Sequence, residues 1–400
     1  MKVLQINAVY GKYSTGIIVK DIEDVLIRND DTPFVAYQSA NGQPVCGYKI
    51  GSNLSWKLHA LYTRIFGKQA YASTRATKKF LRWVDIIKPD VVHLHNVHSN
   101  FINLNMLLDY LSKNDVATVI TLHDCWYFTG KCSHYVLSGC DKWQAECGKC
   151  PALKKEVKSL FFDQTSKVLK DKTSHLNSIS NLTIVGCSKW IANEVKKSLV
   201  KPKNIEVVRN GIDTSIFYPH ESDIKERIGV KKDSFMMLGF ADKWCYDKNL
   251  DTVKSICDTF KDDAIVIAGC NEKHKNFLSQ FNNVVCLPYV SDRNFMADLF
   301  SSADVFVNLT HADTLPTVNM ESICSGTPVV TFDACGSPEL VDKDSGFVVK
   351  KGDTEGVLSA IEKIKTCGFN IDIESKKTKF DKQTCYKKYL EIYKKATEKQ

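Results

Sequence analysis

Asp313 and Glu321 stand eight positions apart, where a polar loop containing Pro316 passes into a helical pattern. An apolar run at 305–309 precedes this loop, as a buried strand would. A helix starting near Thr317 would expose unpaired N–H groups and the positive end of its dipole, and both favour anions. A carboxylate one turn into that helix would accept hydrogen bonds from two neighbouring hydroxyls. The pattern therefore predicts a site for a diphosphate beside a diol, as in a nucleotide that carries a sugar.

The loop and the first helical turn are expected to hold the anion. Thr317 is predicted to cap the helix and Gly326 to end it. The backbone of four consecutive residues would face the anion: Leu315, Pro316, Thr317 and Val318.

Two lysines are expected beside the same diphosphate. Lys243 and Lys248 follow an apolar strand that begins at Met236, and a helical pattern comes after them. Ammonium groups at such a strand end suit phosphate charge. The alternative is a pair of solvated surface lysines.

The first half of the chain repeats the pattern of a strand followed by a loop with polar residues. Ser14, Thr15 and Gly16 follow the first apolar strand and open a helical pattern, where a backbone can approach a ligand closely. A simple turn between strand and helix is the alternative.

Three histidines follow two further strand-like runs. His95 and His98 come after one run, and His123 comes after the next. Metal ligation is one interpretation, but these histidines lack a tight ligand spacing. Positions in the core or beside a ligand cleft are therefore the preferred interpretation.

A cluster of cysteines lies in the loop-rich insert at 125–150. Four thiolates close in sequence can surround one tetrahedral zinc ion, and the insert is expected to have too few apolar residues to fold alone. Small buried side chains are the alternative. The candidate ligands of a structural zinc are Cys132, Cys140, Cys147 and Cys150.

Composition limits the class of protein. The chain has 400 residues, of which 44% are hydrophobic and 25% charged, so it is globular and long enough for two domains. The sequence contains no apolar run of about 18 residues, so no transmembrane helix is predicted. Fifteen cysteines in a cytoplasmic chain should be mostly reduced. A net charge of +8 suits an anionic ligand or membrane, whereas no nucleic-acid-binding signature is present.

One strongly basic stretch extends from Ser55 to Lys88 and interleaves apolar residues with only one acid, Asp85. It predicts a pair of basic amphipathic helices that contact an anionic membrane, with a solvated helix face as the alternative.

Strands alternate with helices through both halves of the chain. This order predicts an α/β protein with two Rossmann-like, doubly wound domains that face a central cleft. The first domain is placed at 1–215 and the second at 216–380, with a C-terminal helix at 381–400.

The stretch from Asp313 to Glu321 resembles the E-x7-E signature of the retaining glycosyltransferases of family 4, which have the GT-B fold. Asp313 stands where the signature has glutamate, so the negative charge is kept but the side chain is shorter. Lys248 matches the family's lysine, and Lys243 occupies its arginine position without the forked geometry. The cysteine insert is similar to one found in members of the family that assemble bacterial polysaccharides.

The resemblance implies roles for residues in both domains, and a last helix that returns to the first domain. Catalytic roles fall on His123, Asp313 and Lys248. Donor-binding roles fall on Gly16, Lys243, Lys248, Leu315, Pro316, Thr317, Val318 and Glu321. Acceptor-side roles fall on Ser14, Thr15, His95 and His98.

The implied function is metal-independent, retaining transfer of a hexose from a nucleotide diphosphosugar to a saccharide or lipid-linked acceptor in polysaccharide biosynthesis. No catalytic cofactor is expected. The expected location is the cytoplasm, at the inner face of the plasma membrane. An epimerase of the same fold and a non-catalytic nucleotide-sugar-binding scaffold are the alternatives. The base, sugar, acceptor, linkage and oligomeric state are left open.

Overall fold

The computed structural model describes residues 1–398, which form two compact units. The first unit contains Met1–Asn210 together with the C-terminal residues from Cys385, and the second contains Gly211–Thr384. The sequence placed the boundaries a few residues away, at 215 and 380. Residues 399 and 400 of the predicted C-terminal helix lie outside the described residues.

The first unit is built on a seven-stranded parallel sheet in the order β5-β3-β1-β6-β7-β8-β9. Strands β2 and β4 form a separate two-stranded parallel pair. The nine strands are β1 Lys2–Ile6, β2 Val9–Tyr10, β3 Thr32–Tyr37, β4 Ser39–Ala40, β5 Gly47–Lys49, β6 Val91–Leu94, β7 Ala117–Leu122, β8 Leu182–Gly186 and β9 Asn204–Val207.

Helices connect these strands, as parallel pairing requires. They are α1 Tyr13–Arg28, α2 Asn53–Phe66, α3 Thr74–Ile87, α4 Leu104–Lys113, α5 Thr165–Asn177 and α6 Lys189–Lys196. Strands β1, β6, β7 and β8 are almost wholly buried, which explains why they read as continuous apolar runs in the sequence.

The second unit has a six-stranded parallel sheet in the order β12-β11-β10-β13-β14-β15. Its strands are β10 Met236–Phe240, β11 Ala264–Ala268, β12 Val284–Cys286, β13 Val305–Asn308, β14 Val329–Phe332 and β15 Gly346–Val349. Its helices are α7 Ile224–Arg227, α8 Ala241–Trp244, α9 Leu250–Thr259, α10 Glu272–Leu278, α11 Arg293–Ser302, α12 Thr317–Cys324, α13 Thr354–Cys367 and α14 Ile373–Phe380.

The C-terminal segment forms two helices rather than the single helix predicted, α15 Lys382–Tyr386 and α16 Lys388–Thr397. Tyr386, Tyr389 and Tyr393 are buried in the core of the first unit, together with residues of β1, β6 and β7. Tyr389 and Tyr393 are four positions apart in α16, so they share one face of that helix. Among residues 1–398 no helix is both long and apolar enough to cross a membrane.

Candidate functional site

The candidate donor-binding residues lie at the carboxyl edge of the second sheet. Strands β10, β13 and β14 are neighbours and parallel, so the loops that follow them leave the sheet at the same edge. Lys243 and Lys248 follow β10, and the loop with Asp313 follows β13 and leads into α12. Such an edge is where open α/β sheets bind their ligands.

The amino end of α12 presents free backbone donors. The helix begins at Thr317, its N-cap is Pro316, and no side chain caps it. The amides of Thr317 and Val318 make no hydrogen bond within residues 1–398. Unpaired amides at the positive end of a helix dipole are suited to bind an anion.

Two details of this site were predicted wrongly. Thr317 is the first helical residue and does not cap the helix. Pro316 has no N–H to donate, and the N–H of Leu315 donates to the Asp313 carboxylate at 3.1 Å. The amides left available to an anion are therefore those of Thr317 and Val318, and Asp313 orders the turn before them.

Polar atoms gather on the loops around Asp313. The Asp313 carbonyl accepts a hydrogen bond from the N–H of Gly336, in the loop after β14, at 3.0 Å. Three buried hydroxyls on these loops have no hydrogen-bond partner in the described structure, those of Thr310, Thr314 and Ser337. Buried polar groups normally find partners, so their clustering favours a ligand site here.

Glu321 lies one turn inside α12. Its carboxylate makes no hydrogen bond or ion pair within the described part of the chain. Burial raises the pKa of Glu321 to about 7, and the nearby cation of Arg293 opposes this increase only in part. A half-buried carboxyl group without a partner can accept hydrogen bonds from a diol or, when protonated, donate one to it.

Asn249 holds the lysine-bearing loop against the loop after β13, and sequence reasoning missed it. Its buried amide nitrogen donates to the carbonyls of Lys243 and Leu309, both at 2.7 Å, and its oxygen meets Nε2 of His311 at 2.7 Å. The only sequence signal was its position directly after Lys248.

The lysines themselves differ in their surroundings. The Lys248 ammonium has no ion-pair partner in the described residues. Burial lowers the pKa of His311, and the positive charges of Lys351 and Lys248 lower it further. The Lys243 ammonium lies 3.1 Å from the carboxylate of Asp242. Lys248 is therefore the cation more available to a phosphate.

A cavity of about 370 Å³ opens at the ends of β10 and β11 in the same unit. Its walls include Phe240, Gly269 and Tyr289, whose ring is largely exposed. An aromatic wall beside an anion site can stack a planar base.

In the first unit, Ser14, Thr15 and Gly16 lie in the first turn of α1 rather than in a loop. The N–H of Gly11 donates to the Gly16 carbonyl at 2.9 Å. A Cβ at Gly16 would lie 3.1 Å from Val9 and 3.3 Å from Gly11 N, so glycine permits this close packing. Their contact with a ligand remains a prediction.

The structure brings His95 and His123 into contact at the ends of the neighbouring strands β6 and β7. His95 Nδ1 lies 3.0 Å from His123 Nε2. His95 is fully buried and its second nitrogen meets Gln5, so it can act on an acceptor only through His123. Its acceptor-side role remains a prediction. His123 is only half-buried, and burial lowers its pKa to about 4.

His98 pairs with Asp124 instead of joining the other histidines. Nε2 of His98 lies 2.9 Å from the Asp124 carboxylate, which also accepts the N–H of Trp126 at 2.8 Å. Burial opposes ionisation of Asp124, but these partners lower its pKa overall. His98 is partly exposed and remains a candidate ligand contact.

The cysteine insert has an apolar core of its own, contrary to expectation. Trp126, Phe128 and Trp143 are buried, and the rings of Phe128 and Trp143 are 5.0 Å apart. The Lys131 ammonium donates to the carbonyls of Ala152, Leu153 and Lys155 at 2.6–3.0 Å.

The four candidate zinc ligands of the insert are free thiols that line one small cavity. A hydrogen bond from the Cys132 thiol lowers the pKa of Cys150 to about 6. Among the described residues, however, no three Cys, His, Asp or Glu side chains are arranged to hold a metal ion. The donor set suits zinc, whereas its present spacing is not that of a bound ion.

Two doubly wound parallel-sheet units place the protein among the open α/β folds, which bind ligands at the carboxyl edge of their sheets. Sequence comparison extends this class to a family. The model described as "Glycosyltransferase Family 4" matches residues 53–216, and that described as "Glycosyl transferases group 1" matches residues 237–366. The chain belongs to the glycosyltransferases of the family-4 type, with the GT-B fold.

Two curated relatives and one solved structure illustrate the kinship. The putative colanic acid biosynthesis glycosyl transferase WcaC of Escherichia coli K12 is 25% identical over 288 residues, covering 68% of this chain and 66% of the relative. The UDP-Gal:alpha-D-GlcNAc-diphosphoundecaprenol alpha-1,3-galactosyltransferase of Escherichia coli is 26% identical, over 42% of this chain and 47% of the relative. The matches thus span about half to two thirds of these relatives.

The Anabaena protein Alr3699/HepE, crystallised with UDP and glucose, superposes with a TM-score of 0.67. The match covers 99% of this chain and 100% of that one at 14% identity. At this identity the likeness shows the fold alone.

Replacing Glu321 with glutamine should stabilise the protein increasingly as the pH rises. The carboxyl group of an unfolded glutamate ionises near pH 4.5, whereas folded Glu321 keeps its proton to about pH 7, so rising pH favours unfolding of the wild type in this window. The advantage of Glu321→Gln in the free energy of unfolding should grow by up to about 3 kcal/mol and then level off. Chemical denaturation between about pH 4 and pH 8 measures it.

Glu362→Gln, which alters an exposed carboxyl group on α13, is the matched control and should show no comparable trend. A pH-independent difference for Glu321→Gln would contradict the raised pKa.

Proposed function

We propose that the protein transfers a hexose from a nucleotide diphosphosugar to a saccharide or lipid-linked saccharide, with retention at the anomeric carbon. One observation carries this proposal, the free amides of Thr317 and Val318 placed at one sheet edge with Lys248 and Glu321. Amides and ammonium suit the diphosphate, and the carboxylate suits the ribose diol. The retaining outcome rests on the family resemblance.

Leaving-group stabilisation would be the main contribution of this edge to the reaction. As the bond from the anomeric carbon to the phosphate oxygen breaks, negative charge grows on the nucleoside diphosphate. The amides of α12 and the ammonium groups of Lys248 and Lys243 would stabilise that charge without a divalent metal. The cavity beside Tyr289 would hold the base.

In the first unit, the proposed ligand contacts are His123, His98 and the amino end of α1 with Ser14, Thr15 and Gly16. Asp313 would face the donor sugar, as the family resemblance implies. One Escherichia coli relative is named for colanic acid biosynthesis and the other for galactosyl transfer to alpha-D-GlcNAc-diphosphoundecaprenol, and these names support an acceptor of this class.

The direct experiment incubates the purified protein with a panel of nucleotide sugars, with and without candidate acceptors and a chelator. Acceptor-dependent release of nucleoside diphosphate, unaffected by the chelator, is the expected result. An epimerised donor would identify an epimerase, and binding without any turnover would identify a scaffold. Either outcome would reject the transferase.

Lys248→Ala should weaken nucleoside diphosphate binding more than tenfold, since a hydrogen bond to a charged group contributes about 1.5–3 kcal/mol. The free nucleoside lacks phosphate charge, so its affinity should hardly change. Calorimetric titration of both ligands measures this difference. Lys254→Ala, which removes an exposed lysine from α9, is the control. Equal losses for the two ligands would place Lys248 away from the diphosphate.

A structural zinc in the cysteine insert remains a proposal. The thiolates of Cys132, Cys140, Cys147 and Cys150 would move together around one tetrahedral ion, leaving no open position for chemistry. The shared cavity and the reduced state of all four cysteines support it.

Elemental analysis of reduced protein purified without chelator should give about one zinc per chain. Chelation should lower the melting temperature of the first unit and leave nucleotide binding by the second largely unchanged. Protein without zinc, or with disulfides among these cysteines, would contradict the zinc site and leave the cysteines as ordinary buried side chains.

A membrane surface is the proposed partner of the first unit, at the cytoplasmic face. Helix α2 turns His59 and Thr63 inward, while Leu54, Leu58 and Leu61 are 67%, 59% and 54% exposed. Their spacing of three and four residues gives one outward apolar stripe, which a solvated surface helix would not need.

A second exposed segment, 160–162, continues this stripe. The N–H of Leu160 donates to the Arg64 carbonyl at 2.8 Å, and the rings of Phe66 and Phe162 stack 6.1 Å apart. Phe161 is 71% exposed. We call the α2 stripe and this segment the apolar surface. Lys57 and Arg64 flank it, and an apolar face with basic flanks binds anionic lipid.

Leu58→Glu combined with Leu61→Glu should reduce binding to vesicles of phosphatidylglycerol and phosphatidylcholine by more than tenfold, because burying each leucine contributes about 1.5–3 kcal/mol. Ile27→Glu, at an exposed position on α1, is a control for the added charge. Vesicle co-sedimentation measures both. If the wild-type protein does not co-sediment with anionic vesicles, the proposal of a membrane partner is wrong.

A further inference from the structure

A chain of hydrogen bonds runs through the core of the first unit from Gln5, in β1, to His123 at the end of β7. It passes through His95, which follows β6, the strand between β1 and β7. Gln5 and His95 are fully buried, and His123 alone reaches the surface. The function proposed above gives no role to Gln5 and none to His95.

The orientation of the Gln5 amide is fixed at its far end. Its nitrogen donates to the carbonyl of Val19, in α1, at 3.0 Å. The opposite orientation would place two oxygens together in a buried site, which is costly. The Gln5 oxygen therefore faces His95, and it can only accept a hydrogen bond.

That acceptor determines the tautomer of His95. Nε2 of His95 lies 3.2 Å from Oε1 of Gln5, so Nε2 must carry the proton. Burial keeps the pKa of His95 well below its usual value, so the ring is neutral and holds one proton. Nδ1 of His95 is consequently an acceptor.

The same argument passes to His123. Its Nε2 lies 3.0 Å from Nδ1 of His95, so Nε2 of His123 must donate. His123 is also neutral near pH 7, because burial lowers its pKa to about 4. Its Nδ1 then carries a lone pair, and within residues 1–398 this atom has no hydrogen-bond partner.

We propose that Gln5 and His95 are positioning residues that hold His123 in the Nε2–H tautomer, so that its Nδ1 accepts a hydrogen bond from a ligand hydroxyl. The identity of that hydroxyl as one of a sugar rests on the proposed function. The tautomer does not, since it follows from the hydrogen bonds alone. A site built in this way selects a donor group and disfavours a carbonyl or phosphate oxygen at Nδ1.

The neighbouring His93 belongs to a separate hydrogen-bond network, and a residue of that network offers a matched control. Its Nδ1 meets the Tyr393 hydroxyl and its Nε2 meets the Thr121 hydroxyl, both at 2.7 Å. Thr121 also contacts the Tyr389 hydroxyl at 2.7 Å. Thr121→Val therefore removes buried hydrogen bonds of His93 and Tyr389 without removing any hydrogen bond among Gln5, His95 and His123.

The test is nuclear magnetic resonance of full-length protein labelled with 15N-histidine. Two-bond proton–nitrogen correlations show which ring nitrogen carries the proton, and His123→Gln identifies the His123 signals among those of ten histidines. Wild-type His123 should be a single Nε2–H tautomer near pH 7. Gln5→Met, which removes the acceptor, should give a tautomer mixture, whereas Thr121→Val should leave the His123 pattern unchanged.

A wild-type spectrum with Nδ1–H or mixed tautomers at His123 would overturn the proposal, and this arm needs no variant to fold. A folded Gln5→Met protein with an unaltered His123 pattern would also overturn it. Where a nucleotide sugar binds, Gln5→Met should weaken it about fivefold relative to Thr121→Val, the loss of one hydrogen bond. If no nucleotide sugar binds, the proposed function fails while the tautomer result stands.

Discussion

Parallel pairing is the constraint on which the rest of this structure depends. Every strand of a parallel sheet points the same way, so the loop after each strand emerges at one edge. In the second unit this edge collects the lysine loop, the Asp313 loop and the start of α12; in the first it collects the α1 turn and the histidines. Parallel pairing alone thus brings residues that are distant in sequence to the same edge of a sheet.

Buried amide side chains turn that shared edge into a defined geometry. Asn249 joins the lysine loop to the end of β13, and Gln5 joins α1 to His95. Each uses both ends of its amide, so a change of rotamer would leave buried groups unpaired. The result is a site whose donors and acceptors are set before a ligand arrives, which lowers the entropic cost of binding.

The sequence predicted the fold well because buried parallel strands are continuous apolar runs. The run at 305–309 became β13 at Val305–Asn308, and the family signature located α12 within one residue. It failed where a residue's partner comes from elsewhere in the fold. Neither the use of Leu315 N–H by Asp313 nor the complete burial of His95 leaves a periodic signal. Asn249 and Gln5 were missed for the same reason.

The central claim is that the edge of the second sheet holds a nucleoside diphosphate, and a crystal structure with that ligand bound tests it most directly. The account predicts phosphate oxygens within hydrogen-bond distance of the amides of Thr317 and Val318, with Lys248 alongside and the ribose hydroxyls on Glu321. A diphosphate bound elsewhere, with these amides still free, would contradict it.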